Sequence, residues 1–123
     1  MMHFDHVGIE ARDASASASA LAEILGLSAP CTEGADNDMF RVDIGRGEFL
    51  LFSPAAAPKS SHIAFHADED SFAQIVERLT AKGIPFGNDP EDPSNGRLSD
   101  PIGVGGRVYF VDDNGHLFEV TFR

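Results

Sequence analysis

Two stretches of this 123-residue chain repeat one another, and no other feature of the sequence restricts the fold as much. Laying His6-Val7-Gly8-Ile9-Glu10 over His62-Ile63-Ala64-Phe65-His66 sets His against His, Val7 against Ile63 and Ile9 against Phe65. Both runs alternate: Val7 and Ile9 point one way and His6, Gly8 and Glu10 the other, while Ile63 and Phe65 oppose His62, Ala64 and His66. Alternation of period two is the pattern of a strand with one buried face, so the chain reads as two copies of one unit that each open on a strand.

A helix signal follows each strand. In the second copy Asp68 can cap a helix whose Phe72, Ile75, Val76 and Leu79 fall on one face, and Gly83 and Pro85 stop it. In the first copy Asp13 is the cap, Leu21, Ile24 and Leu25 form the stripe and Gly26 ends it. The Ala-Ser alternation over residues 14–20 supplies little side chain to bury, so this helix is expected to pack more lightly. Strand-like stretches then come at 39–44 and 48–52 in the first half, and at 107–111 and 117–122 in the second. The order is strand, helix, strands, used twice.

In the last of these stretches Phe118, Val120 and Phe122 alternate with Leu117, Glu119 and Thr121, which turns the Glu119 carboxylate away from the apolar face and toward a cleft. Overlaying Gly47-Glu48-Phe49-Leu50-Leu51 on Gly115-His116-Leu117-Phe118-Glu119 puts Leu51 where the second half has its acid. His6, His62 and Glu119 thus occupy three of four repeat-equivalent positions, and the fourth cannot bind a metal. Taken singly, each would read as a solvated polar residue on a sheet; together they read as a ligand set. By this alignment the second half carries about 12 extra residues, in the loop at 89–106.

Two neutral imidazoles and one carboxylate would leave a divalent first-row metal with a net charge of about +1 and with open coordination positions, which is the catalytic type of site. Fe(II), Mn(II), Zn(II), Ni(II) and Co(II) all accept such donors. Glu10 and His66 follow the two His at strand spacing on the same faces and are candidates for assisting the metal or moving a proton. His116, after Asn114-Gly115, and His3, beside the N-terminus, read as surface residues. Gly103-Val104-Gly105-Gly106 lacks the Lys-Ser/Thr ending of a phosphate loop and reads as a flexible lid or turn. Arg97 in the same loop reads as solvated, with an anionic substrate as the alternative.

Three motifs, Phe4-Asp5-His6-Val7-Gly8-Ile9, Ser61-His62-Ile63-Ala64-Phe65 and, most specific, Tyr109-Phe110-Val111-Asp112-Asp113-Asn114-Gly115-His116-Leu117-Phe118-Glu119, resemble those of the vicinal oxygen chelate superfamily. It includes glyoxalase I, bleomycin-resistance proteins, fosfomycin-resistance enzymes and extradiol dioxygenases. The resemblance covers nearly the whole chain. It implies an α+β fold of two βαβββ modules whose sheets curl into one cup with helices outside, and one divalent metal held by the first and last strands of the modules. His6, His62 and Glu119 match three ligand positions; Leu51 occupies the fourth, which binds metal in glyoxalase I and the methylmalonyl-CoA epimerases. Two His and one Glu are similar to the fosfomycin-resistance and extradiol dioxygenase subgroups, and Tyr109 resembles the tyrosine lining the fosfomycin pocket. The chain departs from the former in offering Arg97 and Arg107 but no Lys for a phosphonate. It departs from the latter in having half the usual number of modules.

Length fits a single domain, with module 1 at about 1–53, a linker rich in Pro and Ala at 54–60 and module 2 at about 61–123. Nine basic against twenty acidic residues give a net charge of −11, which repels nucleic acid and anionic membranes. With no spanning apolar stretch and no signal-peptide core, the expected compartment is the cytoplasm. Cys31 is the lone cysteine and excludes an intrachain disulfide. The expected partners are a small-molecule substrate that chelates the metal through adjacent oxygens, and a second copy in a homodimer. Ring-cleaving dioxygenation, glyoxalase-type isomerisation and thiol addition to an epoxide all stay open. The rival function is a metal-free protein similar to the bleomycin-resistance proteins, which bind a cationic drug; the ligand trio and the absence of Trp count against it.

Overall fold

The computed structural model describes residues 1–123, and the chain divides into two compact units, Met1–Lys59 and Ser60–Arg123. In the first unit β1 (His6–Ala11) leads into α1 (Ala14–Leu25), and β2 (Cys31–Glu33), β3 (Met39–Gly45) and β4 (Glu48–Pro54) complete a four-stranded sheet of order β1-β4-β3-β2. β1 pairs parallel with β4, and the other neighbours are antiparallel. The Asp13 carboxylate accepts the Ala16 N–H at 3.0 Å and starts α1; Gly26, at a left-handed φ of 72°, ends it without a Cβ penalty. α1 buries Ala14, Ala18 and Ala22 at four-residue spacing together with Leu21 and Ile24, over a core that includes Ile9, Val42, Leu50 and Phe52. The Ala-Ser run is therefore a stripe of small buried residues along the sheet, each contributing little area.

In the second unit β5 (His62–His66), α2 (Glu69–Ala81), β6 (Gly106–Val111) and β7 (Leu117–Phe122) form a three-stranded sheet of order β5-β7-β6, with β5 and β7 parallel. Phe72, Ile75 and Leu79 of α2 are buried, and the Phe72 ring meets that of Phe122, which marks the apolar face of β7 as the helix side. Asp68 caps α2 by accepting the Ser71 N–H at 2.7 Å, which holds its carboxyl below the ordinary 3.8. A depressed folded value contributes stability above the unfolded value, lost as pH falls through the folded one. Asp68→Ala should therefore lower thermal stability at neutral pH and narrow the gap to wild type at the acid end, below about pH 4, as a calorimetric pH series would read.

The registers bear out the repeat. Gly8 pairs with Leu51 as Ala64 pairs with Glu119, and Arg41 pairs with Leu51 as Tyr109 pairs with Glu119. β2 went unread in the sequence; Cys31 pairs with Arg41 there, and its counterpart is the single bridge of Gly87 to Tyr109. The extra residues of the second unit lie between that bridge and β6. Their glycines form a turn: Asp100 N–H donates to the Gly105 carbonyl at 3.2 Å, and Gly105, at φ 112°, packs on the Phe122 carbonyl where a side chain would collide.

The surface placement of His116 is overturned. The residue does sit in the β6–β7 connection, but it is fully buried, because its ring is a structural acceptor: Ser61 N–H donates to Nδ1 at 3.0 Å. Its own N–H goes to the Asp112 carboxylate at 2.9 Å, while Leu117 N–H donates to the Ser61 carbonyl, so the imidazole ties the start of β5 to the start of β7. His116→Ala should cost about 2–4 kcal/mol through the stranded amide and the cavity, measured by urea unfolding. No helix is long and apolar enough to cross a membrane.

Candidate functional site

β5, β7 and β6 carry the site on the sheet face opposite α2, because period-two alternation sends His62, Ala64 and His66, then Leu117, Glu119 and Thr121, then Arg107, Tyr109 and Val111 to one side. Glu119 lies at its centre, 6% exposed, with its two oxygens divided between two partners. His62 Nε2 is 2.9 Å from Oε1, and Arg107 Nη1 donates to Oε2. Arg107 is held from behind by Asp100, with Nε donating to Oδ1 at 3.1 Å and Nη2 to Oδ2 at 3.3 Å. A buried carboxylate is tolerable only when paired, and this one is.

The pairing shifts the titrations of its neighbours. Hydrogen bonds from Arg107, chiefly, and from the Ile102 amide hold the Asp100 carboxyl below the ordinary carboxylate range. Asp100 in turn raises the Arg107 guanidinium. Tyr109, 6% exposed and 6.0 Å from the His62 ring, has its hydroxyl pushed up by burial first and then by the Glu119 charge. Tyr109 is thus a protonated donor at neutral pH, beside the carboxylate.

His62, Glu119 and Tyr109 lie together on this face. His66 lies on the same face but at the exposed end of β5, opposite Thr121. In the first unit Glu10 is engaged structurally, its Oε1 accepting the Lys59 N–H at 2.9 Å. His6 is oriented twice over: Asp5 Oδ2 binds Nδ1 at 2.7 Å, and the ring stacks on Phe49 with centroids 4.9 Å apart. A carboxylate on Nδ1 directs Nε2 toward any further partner, the arrangement common behind metal-bound imidazoles. No three His, Cys, Asp or Glu side chains converge on a metal position within either unit. The residues the sequence reading missed are Asp100 and the role of Arg107. Arg107 sits diagonally from Glu119 across the β6–β7 hairpin, a contact that counting back from the Asn114-Gly115 turn would have found.

By its chemistry the donor set suits a divalent first-row metal: an imidazole nitrogen and a carboxylate oxygen, His62 Nε2 and Glu119 Oε1, lie 2.9 Å apart, and the cluster of Glu119, Arg107 and Asp100 holds two carboxylates against one guanidinium.

With this geometry in place, the comparisons assign the chain. The family model described as "Glyoxalase/Bleomycin resistance protein/Dioxygenase superfamily" matches residues 3–120, and the chain belongs to that superfamily. Among solved structures it is similar to the oxidase ChaP-H1, with 30% identity and a TM-score of 0.90 over 100% of this chain and 97% of that one. The oxidase ChaP-H2 is 31% identical, TM-score 0.86, over 99% and 94%. The fosfomycin resistance protein FosX from Listeria monocytogenes, at 18% identity and TM-score 0.70 over 100% and 94%, shares the fold. No protein of curated function matches the sequence significantly.

Proposed function

We propose that this protein is a metal-dependent oxidase acting on a small organic substrate that presents two neighbouring oxygens, with dioxygen as oxidant. The observation that carries it is the pair of His62 Nε2 and Glu119 Oε1 at 2.9 Å, on a chain 30% identical over its full length to a protein named as an oxidase. His62, Glu119 and His6 would hold the ion, and Fe(II) or Mn(II) suits oxygen chemistry best among the metals these donors accept. When bound, the metal supplies a positive centre that chelates the substrate oxygens and admits dioxygen beside them.

The remaining steps belong to the side chains. Tyr109, protonated at neutral pH, donates a hydrogen bond to a substrate oxygen and can give up that proton as negative charge builds there. Ala64, Leu117 and the half-exposed Val111 share the face and offer an apolar bed for a hydrocarbon ring. His66 at the rim is the second candidate for proton transfer, and Glu10 the third. The net charge of −11 disfavours polyanions and leaves neutral or cationic substrates. A homodimer and a cytoplasmic setting complete the proposal; the exposed free thiol of Cys31 fits a reducing compartment.

Oxygen uptake by Fe(II)- or Mn(II)-loaded protein against a panel of catechols and hydroquinones tests the reading. Uptake that His62→Ala abolishes is expected. Turnover of a hemithioacetal or an epoxide without oxygen uptake would replace oxidation by isomerisation or thiol transfer. One observation favours a second reading, a metal-free binding protein: Arg107 and His62 together satisfy both Glu119 oxygens, so the fold stands without an ion. Tight binding of a cationic organic ligand by protein that takes up no metal would establish it.

A further inference from the structure

Arg107 poses a problem for any cation at Glu119. A guanidinium on Oε2 cancels the charge of the carboxylate that is meant to attract the ion, and both groups are nearly buried, with side chains 11% and 8% exposed. Screening by solvent is weak there, so the cancellation is felt at Oε1. Asp100 removes the problem. Its side chain, 2% exposed, grips the far edge of the same guanidinium through two hydrogen bonds, and its own Oδ1 is fixed further by the Ile102 N–H at 3.1 Å. Arg107 is pinned along the main chain as well, its N–H donating to the Leu98 carbonyl at 2.9 Å. The guanidinium cannot swing away, and its charge is already answered by Asp100.

We propose that Asp100, a residue of the inserted loop, is a positioning residue for the metal centre: it answers the charge of the Arg107 guanidinium beside Glu119 and holds that guanidinium on Oε2, so that only Oε1 is presented beside His62. This rests on the metal-dependent reading above. The consequence is chemical as well as electrostatic. A carboxylate restricted to one donor oxygen would take up one position on a bound metal and leave room for a chelating substrate. The inserted loop is what distinguishes the second unit from the first, and on this proposal its function is to carry Asp100 to Arg107.

The test is Co(II) binding to metal-free protein, followed against a chromophoric competitor chelator, with thermal unfolding of each metal-free variant alongside. Asp100→Asn keeps the shape and removes the charge, and it should weaken Co(II) binding about tenfold or more. The double variant Asp100→Asn with Arg107→Met removes both charges together, leaves Glu119 paired with His62 alone, and should bind within about threefold of wild type. A role confined to holding the loop predicts the opposite pattern: a lowered melting temperature in Asp100→Asn with unchanged Co(II) affinity, or a double variant as weak as the single one. Either result overturns the proposal. If Asp100→Asn does not fold, the double variant decides alone, and binding more than about tenfold weaker than wild type overturns it. Wild type that takes up no more Co(II) than His62→Ala would instead remove the metal-dependent reading itself, and this proposal with it.

Discussion

Glu119→Gln is expected to abolish metal binding at the proposed centre while leaving the fold standing. Gln has the shape of Glu and keeps one acceptor oxygen, and Arg107 retains its two hydrogen bonds to Asp100, so no unpaired cation is stranded. The destabilisation should stay within about 1–3 kcal/mol, since what is lost is one charge-assisted contact in a cluster that remains closed. Metal binding responds far more. The amide brings no charge, and it leaves Arg107 and Asp100 as a neutral pair beside an imidazole. Removing a partner that merely supports a ligand costs about 10–100-fold in metal affinity or activity, and removing the anionic ligand itself should exceed about 100-fold in both. Metal titration and oxygen uptake on the variant, with a thermal melt as the control for folding, read the two effects separately.

Phe118→Ala carries the largest expected loss of stability. The residue is 1% exposed in the middle of β7, with its ring against Phe65 and Phe110 and beside the buried His116. Truncation removes most of an aromatic side chain from a well-filled core and should cost about 3–5 kcal/mol, a shift of about 2 M in the urea midpoint. Its neighbours Leu117 and Glu119 face the other way, so the damage also reaches the site through the strand that carries the carboxylate. Val111→Ala, at a half-exposed position on the adjacent strand, is the matched control and should change the midpoint little. Equal effects at the two positions would mean that the apolar face of β7 is not the core of the second unit.

Much of this was legible before any coordinates. Val7, Ile9, Ile63 and Phe65 alternate along their strands with more exposed neighbours, and that regularity located the repeat. Asp13, Asp68 and Gly26 announced helix ends because capping is local chemistry, decided within a turn of the chain. Glu119 was visible as a residue out of phase with Phe118 and Val120. What stayed hidden depended on register and on tertiary partners. β2 is three residues with no buried position, so nothing in its composition marks it. His116 looks like a turn residue because its backbone is one; its burial comes from the Ser61 amide, which lies far away in sequence. The linkage from Asp100 through Arg107 to Glu119 joins an irregular loop to the middle of a strand, and periodicity carries no information about loops.

His6, His62 and Glu119 are the ligands proposed for the metal, and metal content is the property that decides the proposal. Elemental analysis of protein purified without an affinity tag or added metal, repeated on His62→Ala, is the measurement to make. About one divalent ion per chain in the wild type, lost in the variant, is the predicted result, and iron or manganese would agree with oxidation. A wild type that holds no metal after reconstitution with Fe(II), Mn(II), Zn(II), Ni(II) and Co(II), or a His62→Ala variant that holds as much as wild type, would contradict it.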